Sequence, residues 1–257
     1  MKNVKTLALA VSMAAAATGS AFAADYSDGD IHKNDYKWGQ FNLMYAQGQK
    51  PTVDNDKGHD YLELEFGGRS GVVDLYGYVD VFDITGSESG SKKGSDSKMY
   101  MKLAPRFSID AMTGKDLSFG PVKEVYVATL FNFDGDVGLG KGVNNGNVGI
   151  GADVMVPWFG KVGMNLYAQY DIGQKDWNGS QFSVNWFKPF YNFDNGSFIS
   201  YQGYIDYQFD MNSKASANEG GAMYNGIYWH SDRFAVGYGL KGYKDVYGLK
   251  DDGLAGK

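Results

Sequence analysis

The chain of 257 residues contains no cysteine, so neither a disulfide framework nor a thiolate metal site holds it together. Prolines number only 5 against 36 glycines, a balance that favours tight turns and leaves long stretches free to hydrogen-bond. Long apolar runs are missing as well. The one at residues 7–17 falls far short of the roughly 20 residues that carry a helix across a bilayer, and no later stretch approaches that length. Basic charge is in deficit, with 24 Lys and Arg against 30 Asp and Glu, which excludes a nucleic-acid polymer held by bulk charge. Only three histidines occur: His32, His59 and His230.

What is present begins with an export signal. Lys2 and Lys5 precede the apolar run, and Ser20-Ala21-Phe22-Ala23 supplies small residues at the two positions a signal peptidase reads, so cleavage after Ala23 is expected. The mature part, 24–257, then carries 22 basic and 30 acidic residues, a net charge of −8. Aromatics reach 16% (19 Tyr, 16 Phe, 5 Trp), yet mean hydropathy is negative. Export, many aromatics and mild hydropathy coincide when only alternate residues of a strand face lipid.

That alternation runs through nearly all of the chain after Lys37. Leu62, Leu64 and Phe66 oppose Glu63 and Glu65. Val73, Leu75, Val79 and Val81 oppose Asp74, Tyr76, Tyr78 and Asp80. Met99, Met101, Leu103, Phe107 and Ile109 oppose Tyr100, Lys102, Arg106, Ser108 and Asp110, with Pro105 on the apolar side, where a bulge is expected. Further on, Val148, Ile150, Ala152 and Val154 oppose Gly149, Gly151 and Asp153. Val162, Met164 and Leu166 oppose Asn165, Tyr167 and Gln169. Phe182, Val184 and Trp186 oppose Gln181, Ser183 and Asn185, and Ile205, Tyr207 and Phe209 oppose Gln202, Tyr204, Asp206 and Gln208. Strands starting near Phe41, Val125 and Phe234 are less regular, and 223–229 is ambiguous in phase.

Connections alternate in length. Long polar ones near 47–59, 85–97, 132–146 and 210–220 are interleaved with short ones at 67–71, 157–161 and 230–233, plus medium ones near 112–120 and 191–197. Outer-membrane barrels pair short periplasmic turns with longer external loops in this way. Trp158, Phe159, Phe190, Tyr191, Phe193 and Trp229 cluster at the short-turn ends, where an interfacial girdle belongs. The count is eleven strands. An even-numbered barrel of about 12 needs one more, so the expected fold is an all-β transmembrane antiparallel barrel whose last strand is missing from the C-terminal side.

The polar face carries Glu63, Glu65, Asp74, Asp80, Asp110, Glu124, Asp153, Asp171 and Asp206, with Lys102, Arg106 and Lys241. Turned to lipid, each basic residue would cost roughly 2–4 kcal/mol at the bilayer midplane against a total stability of about 5–15 kcal/mol, so this face is expected to point inward. The rival, a soluble ligand-binding barrel with its apolar face inward, is hard to fill at about 12 strands. Nine acids against three bases predict a mild cation preference, reduced by opposed pairs such as Asp74 with Lys102.

Other motifs weigh little. GDVGLGKG at 135–142 lacks the Ser or Thr that follows the Lys of a phosphate loop, and no helix pattern follows it. DNDKGHD at 54–60 alternates oxygen ligands, but a strand stands where a calcium motif needs its later Glu. His230-Ser231-Asp232 sits in a tight turn where sequence neighbours point apart, which argues against an outer-membrane hydrolase. The Asn-Gly-Ser triplets at Asn178 and Asn195 read as turns. No cofactor and no metal site is expected, and no enzymatic activity. Tyrosines are more telling: Tyr76, Tyr78, Tyr100, Tyr126, Tyr167 and Tyr204 alternate with ionisable groups on the inward face. Ring faces stack a nucleobase, neighbouring amides and carboxylates bond a ribose, and weak sites in series still release the solute; simple filling of lumen volume is the alternative. The candidate pore-lining residues are therefore Glu63, Glu65, Asp74, Tyr76, Tyr78, Asp80, Lys102, Arg106, Tyr126, Tyr167, Gln202, Tyr204 and Asp206.

ADYSDGDIHKNDYKW at 24–38, EFGGRSG at 65–71, YGYVDVF at 76–82, NWFKPF at 185–190, FISYQGYIDYQF at 198–209 and IYWHSDRF at 227–234 resemble the OmpK-type outer-membrane proteins of the nucleoside-specific channel-forming (Tsx-like) family. The resemblance covers nearly the whole mature chain. It implies a monomeric twelve-stranded barrel in the outer membrane of a Gram-negative bacterium, passing nucleosides and deoxynucleosides, with external loops such as 85–97 serving as bacteriophage docking sites. Members end in an aromatic-tipped strand that is missing here. Expected partners are outer-membrane lipid, small polar solutes and bacteriophage, and the rival functions are a general porin without nucleoside selectivity and the hydrolase.

Overall fold

The computed structural model describes Tyr26 and residues 28–48, 58–85, 98–134, 143–212 and 217–250, with the backbone of 8–12. Alternating β-branched and aromatic residues do what their period dictates. The strands are β1 (Ala8–Ser12), β2 (Tyr36–Ala46), β3 (His59–Ser70), β4 (Val73–Phe82), β5 (Met99–Ser108), β6 (Val122–Asp134), β7 (Asn144–Val156), β8 (Gly160–Asp171), β9 (Asp176–Asn192), β10 (Phe198–Phe209), β11 (Gly220–His230) and β12 (Ala235–Lys244). Each of β2 to β11 pairs antiparallel with the next in sequence, and β1 sits between β12 and β2, closing the barrel. The eleven strands expected from the alternation are thus β2 to β12. β1 pairs only with 42–46 of β2 and 235–239 of β12, so this seam is the shortest in the sheet.

Two local expectations are corrected. The fourth expected strand does not run to Asp110: it stops at Ser108, which caps the short helix α1 (Ile109–Thr113) by accepting the Ala111 N–H at 3.0 Å. Asp110 is fully buried there and accepts the Leu117 and Val125 N–H groups at 2.9 and 3.1 Å, tying the β5–β6 connection down. Pro105 produces no bulge. Its pairing with Leu75 of β4 is in register, and on the β6 side the ladder skips from Leu103 to Arg106 without a shift. The Thr129 hydroxyl bonds the Pro105 carbonyl at 2.7 Å, replacing the lost ladder contact with a side chain. Bulges occur instead near Lys123, between Ala168 and Tyr170, and between Ile199 and Ser200.

The length alternation holds with two exceptions. Connections at one end are 71–72, 157–159, 193–197 and 231–234, joined by the longer 109–121 that contains α1; the other end has 47–58, 83–98, 135–143 and 210–219, joined by the tight 172–175. Asn195 accepts the Ser197 N–H and hydroxyl at 3.0 and 2.7 Å with Gly196 at φ 83°, so this triplet is a turn, whereas the Asn178 triplet is not: it lies inside β9 beside the bulge between Ala168 and Tyr170, with Gly179 at φ 74°. The outer face is apolar and open: Phe41, Ile150, Leu240 and Ile227 are each half-exposed or more. Around the short-turn end Trp158, Phe190, Tyr191 and Phe193 are exposed, as a girdle requires. Burial lies inside and is mostly polar, with Asn42, Asn132, Asn147, Gln181 and Gln208 among the least exposed residues.

Candidate functional site

Every residue proposed from the alternation as pore-lining lies on the inner face of its strand, but the structure sorts them by depth. Toward the short-turn end, Asp74, Arg106 and Tyr126 belong to one network. Arg106 Nε donates to Asp74 at 3.0 Å, Nη1 lies 2.9 Å from Asp153 Oδ1, and the guanidinium covers the Tyr126 ring at 4.0 Å. The Tyr126 hydroxyl donates to Glu124 at 2.7 Å and meets Asp153 at 3.2 Å, leaving its ring with no exposed surface. Glu124 in turn holds Arg69 (2.6 and 2.8 Å), and Lys161 reaches Asp153 at 3.2 Å. Asp74 therefore pairs with Arg106 and not with Lys102 as expected. Three bases (Arg69, Arg106, Lys161) meet three acids (Asp74, Glu124, Asp153), so the network is neutral. Tyr167 is equally covered, packed on Ala128 and Leu130.

The network reaches beyond the strands. Tyr26 is 5% exposed, donates to Glu124 at 2.9 Å and accepts from Arg69. Burial, followed by the Glu124 charge, pushes its hydroxyl up to about 12. Asp35 accepts the Gly71 N–H at 2.7 Å, and this bond, reinforced by His32, holds its carboxyl below the usual range. The segment from Tyr26 to Asp35 is thus fastened at both ends across the short-turn mouth. Alternation could not show this, because the segment is not a strand.

Further toward the long loops the interior changes character. Rings run in series from Trp38 through Tyr76 and Tyr78 to Tyr100, with centroids 6.2, 6.2 and 5.9 Å apart. The opposite wall carries Tyr204 stacked on Tyr224 at 6.1 Å, and the Tyr224 hydroxyl meets that of Tyr228. These last two rings lie flat on β12. A Cβ at Gly239 would fall 2.2 Å from the Tyr224 ring and one at Gly237 2.1 Å from that of Tyr228, so glycine makes room for them. Between the walls stand Glu65, bonded to Tyr76 at 2.8 Å and to Gln40, and Glu63, bonded to Asn42 at 2.6 Å. Asp80 faces Glu63 across the ladder, Gln202 is half-buried, and Asp206 accepts from Ser183 at 2.6 Å. Sequence reading missed Trp38, Gln40, Tyr224 and Tyr228. The last two sit in the stretch of ambiguous phase, because both faces of β11 are aromatic or apolar.

A closed antiparallel barrel with an apolar exterior, two aromatic walls and a polar interior is the architecture of an outer-membrane channel. Residues 33–257 match the family described as "Nucleoside-specific channel-forming protein, Tsx". The chain belongs to this family. The outer membrane protein OmpK of Vibrio parahaemolyticus serotype O3:K6 is 69% identical over 246 residues, 95% of this chain and 91% of its own length. A second OmpK from Vibrio parahaemolyticus is 63% identical over 244 residues, 95% of this chain and 91% of its own length. The nucleoside-specific channel-forming protein Tsx of Salmonella typhimurium is 33% identical over 216 residues, 79% of this chain and 73% of its own length. Membership in the Tsx family makes the chain a channel-forming β-barrel of the bacterial outer membrane and not an enzyme. The loop motif at 135–142, residues 54–57 of the alternating-oxygen motif and loop residues 86–97 lie outside the described residues.

Proposed function

We propose that the protein is a passive channel for small polar solutes, and that nucleosides are its preferred permeants. The observation that carries this reading is the pair of tyrosine walls facing hydrogen-bonding groups along the middle of the lumen. Tyr76 is 37% exposed inside the barrel and bonded to Glu65, so a free ring face adjoins a carboxylate and the Gln40 amide. A base stacks on the ring while its sugar hydroxyls exchange bonds with the carboxylate and amide. No single contact is strong enough to trap it. Of the residues proposed at the outset, Glu63, Glu65, Tyr76, Tyr78, Asp80, Gln202 and Tyr204 are assigned to solute contact, whereas Asp74, Arg106, Tyr126 and Tyr167 are assigned to holding the wall. The test is flux into liposomes containing purified protein: nucleosides are expected to enter faster than sugars of equal size, and equal rates would reduce the protein to a general porin.

In this reading the exposed apolar exterior contacts outer-membrane lipid, and the long loops, 85–97 among them, serve as a bacteriophage docking surface. Loss of phage adsorption on deleting 86–97 supports the latter, and unchanged adsorption to all loop deletions removes it. Mass measurement of the exported chain tests cleavage after Ala23, which would withdraw β1 from the seam between β2 and β12.

A further inference from the structure

We propose that Lys102 and Asp206 form a crossbar that spans the lumen and sets the width of the open pathway. The inference rests on the channel reading but not on the identity of the solute. β5 and β10 are five strands apart in the closed sheet of twelve, so they face each other across the interior. Lys102 Nζ nevertheless lies 3.3 Å from Asp206 Oδ2. Four further interior ion pairs join strands one to three apart: Arg106 with Asp74, Arg106 with Asp153, Lys161 with Asp153 and Arg69 with Glu124. These run along one wall. Of these five pairs, the Lys102 one alone reaches from wall to wall.

The surroundings hold the bar in place from both sides. The ammonium lies 5.8 Å from the Tyr78 ring centroid on one wall and 5.7 Å from that of Tyr204 on the other. Asp206 is anchored by the Ser183 hydroxyl on β9 at 2.6 Å, so its carboxylate stays aimed into the lumen. The pair is partly open, with side-chain exposures of 17% and 23%, in contrast to 6% and 4% for Arg69 and Glu124. A pair with that much exposure is more screened than the covered Arg69–Glu124 pair and exchanges partners more easily. A permeating solute has to pass beside it or part it, and a neutral solute rich in donors and acceptors offers each ion a substitute partner while it does so.

The test uses the full-length protein in planar bilayers, with sucrose entry into liposomes as a second reading. Lys102→Met and Asp206→Asn are each expected to raise single-channel conductance by about 1.5-fold or more and to increase sucrose flux, because either change removes the ionic contact that ties the two walls together. Exchanging the charges, Lys102→Asp with Asp206→Lys, is expected to bring both values back toward those of the parent. Conductance and sucrose flux unchanged in both single variants would overturn the crossbar, as would an exchanged variant that stays as open as the single ones. Heat-shifted gel migration checks that each variant is a folded barrel. A parent protein with no conductance at all would instead defeat the channel reading, which keeps the two failures distinct.

Discussion

The two halves of the barrel interior carry similar residue types and use them differently. Near the short turns, three bases and three acids form a neutral network with Tyr26 and Tyr126 in which almost every polar atom has a partner. Toward the long loops, Glu63, Glu65, Asp80 and Asp206 outnumber Lys102 and Lys241, and tyrosine rings replace arginine as the companions of carboxylates. An arginine fork can occupy both oxygens of a carboxylate, as Arg69 does with Glu124, and at Asp74 Arg106 takes one oxygen while the Tyr36 hydroxyl takes the other. A tyrosine hydroxyl leaves lone pairs free and presents a ring face besides. The first half therefore holds the wall, and the second remains able to exchange bonds with a passing solute.

The contrast is broken most directly at Glu124. Glu124→Gln leaves Arg69 buried without its counter-charge and is expected to cost about 3–5 kcal/mol, read as a lower temperature of heat-induced gel shift; a shift no larger than that of Glu65→Gln would erase the distinction between the halves. The next largest effect belongs to the open half. Tyr76→Ala removes a stacking face worth about 1–3 kcal/mol, so half-saturation of nucleoside-dependent current block is expected to weaken roughly tenfold with the gel shift unchanged. Smaller still is Tyr26→Phe, which strips one acceptor from Arg69 and one donor from Glu124 at about 1–2 kcal/mol. It also carries a pH signature. A tyrosine raised to about 12 contributes stability that is complete below its ordinary value near 10 and is lost as pH rises through 12, so the N-terminal segment is expected to become protease-sensitive between pH 10 and 12 in the parent. Release already complete at pH 8 contradicts the docking.

Faces were legible in the sequence because period 2 is a local property: Leu64 and Glu65, or Ile150 and Gly151, are assigned by their neighbours alone. Depth and partnership were not. Arg69 meets Glu124, 55 residues away, and Lys102 meets Asp206 at a separation of 104, so only the register of the whole barrel brings them together. Local pattern alone therefore sets Asp74 beside Lys102 and makes Tyr126 as free as Tyr76. Turn chemistry was partly readable: the Asn195 turn follows from Asn-Gly. The Ser108 cap of α1 was hidden by an alternating pattern that continues through Asp110 by chance.

The most direct test of the account is accessibility, which is simple to measure in a chain with no native cysteine. Single cysteines at Tyr76 and Asn185 inside, and at Leu64 and Ile150 outside, would be treated in liposomes with a charged, membrane-impermeant maleimide. A hydrated lumen predicts modification of Tyr76→Cys and Asn185→Cys with protection of Leu64→Cys and Ile150→Cys. Labelling of the outer pair with sparing of the inner pair would contradict it.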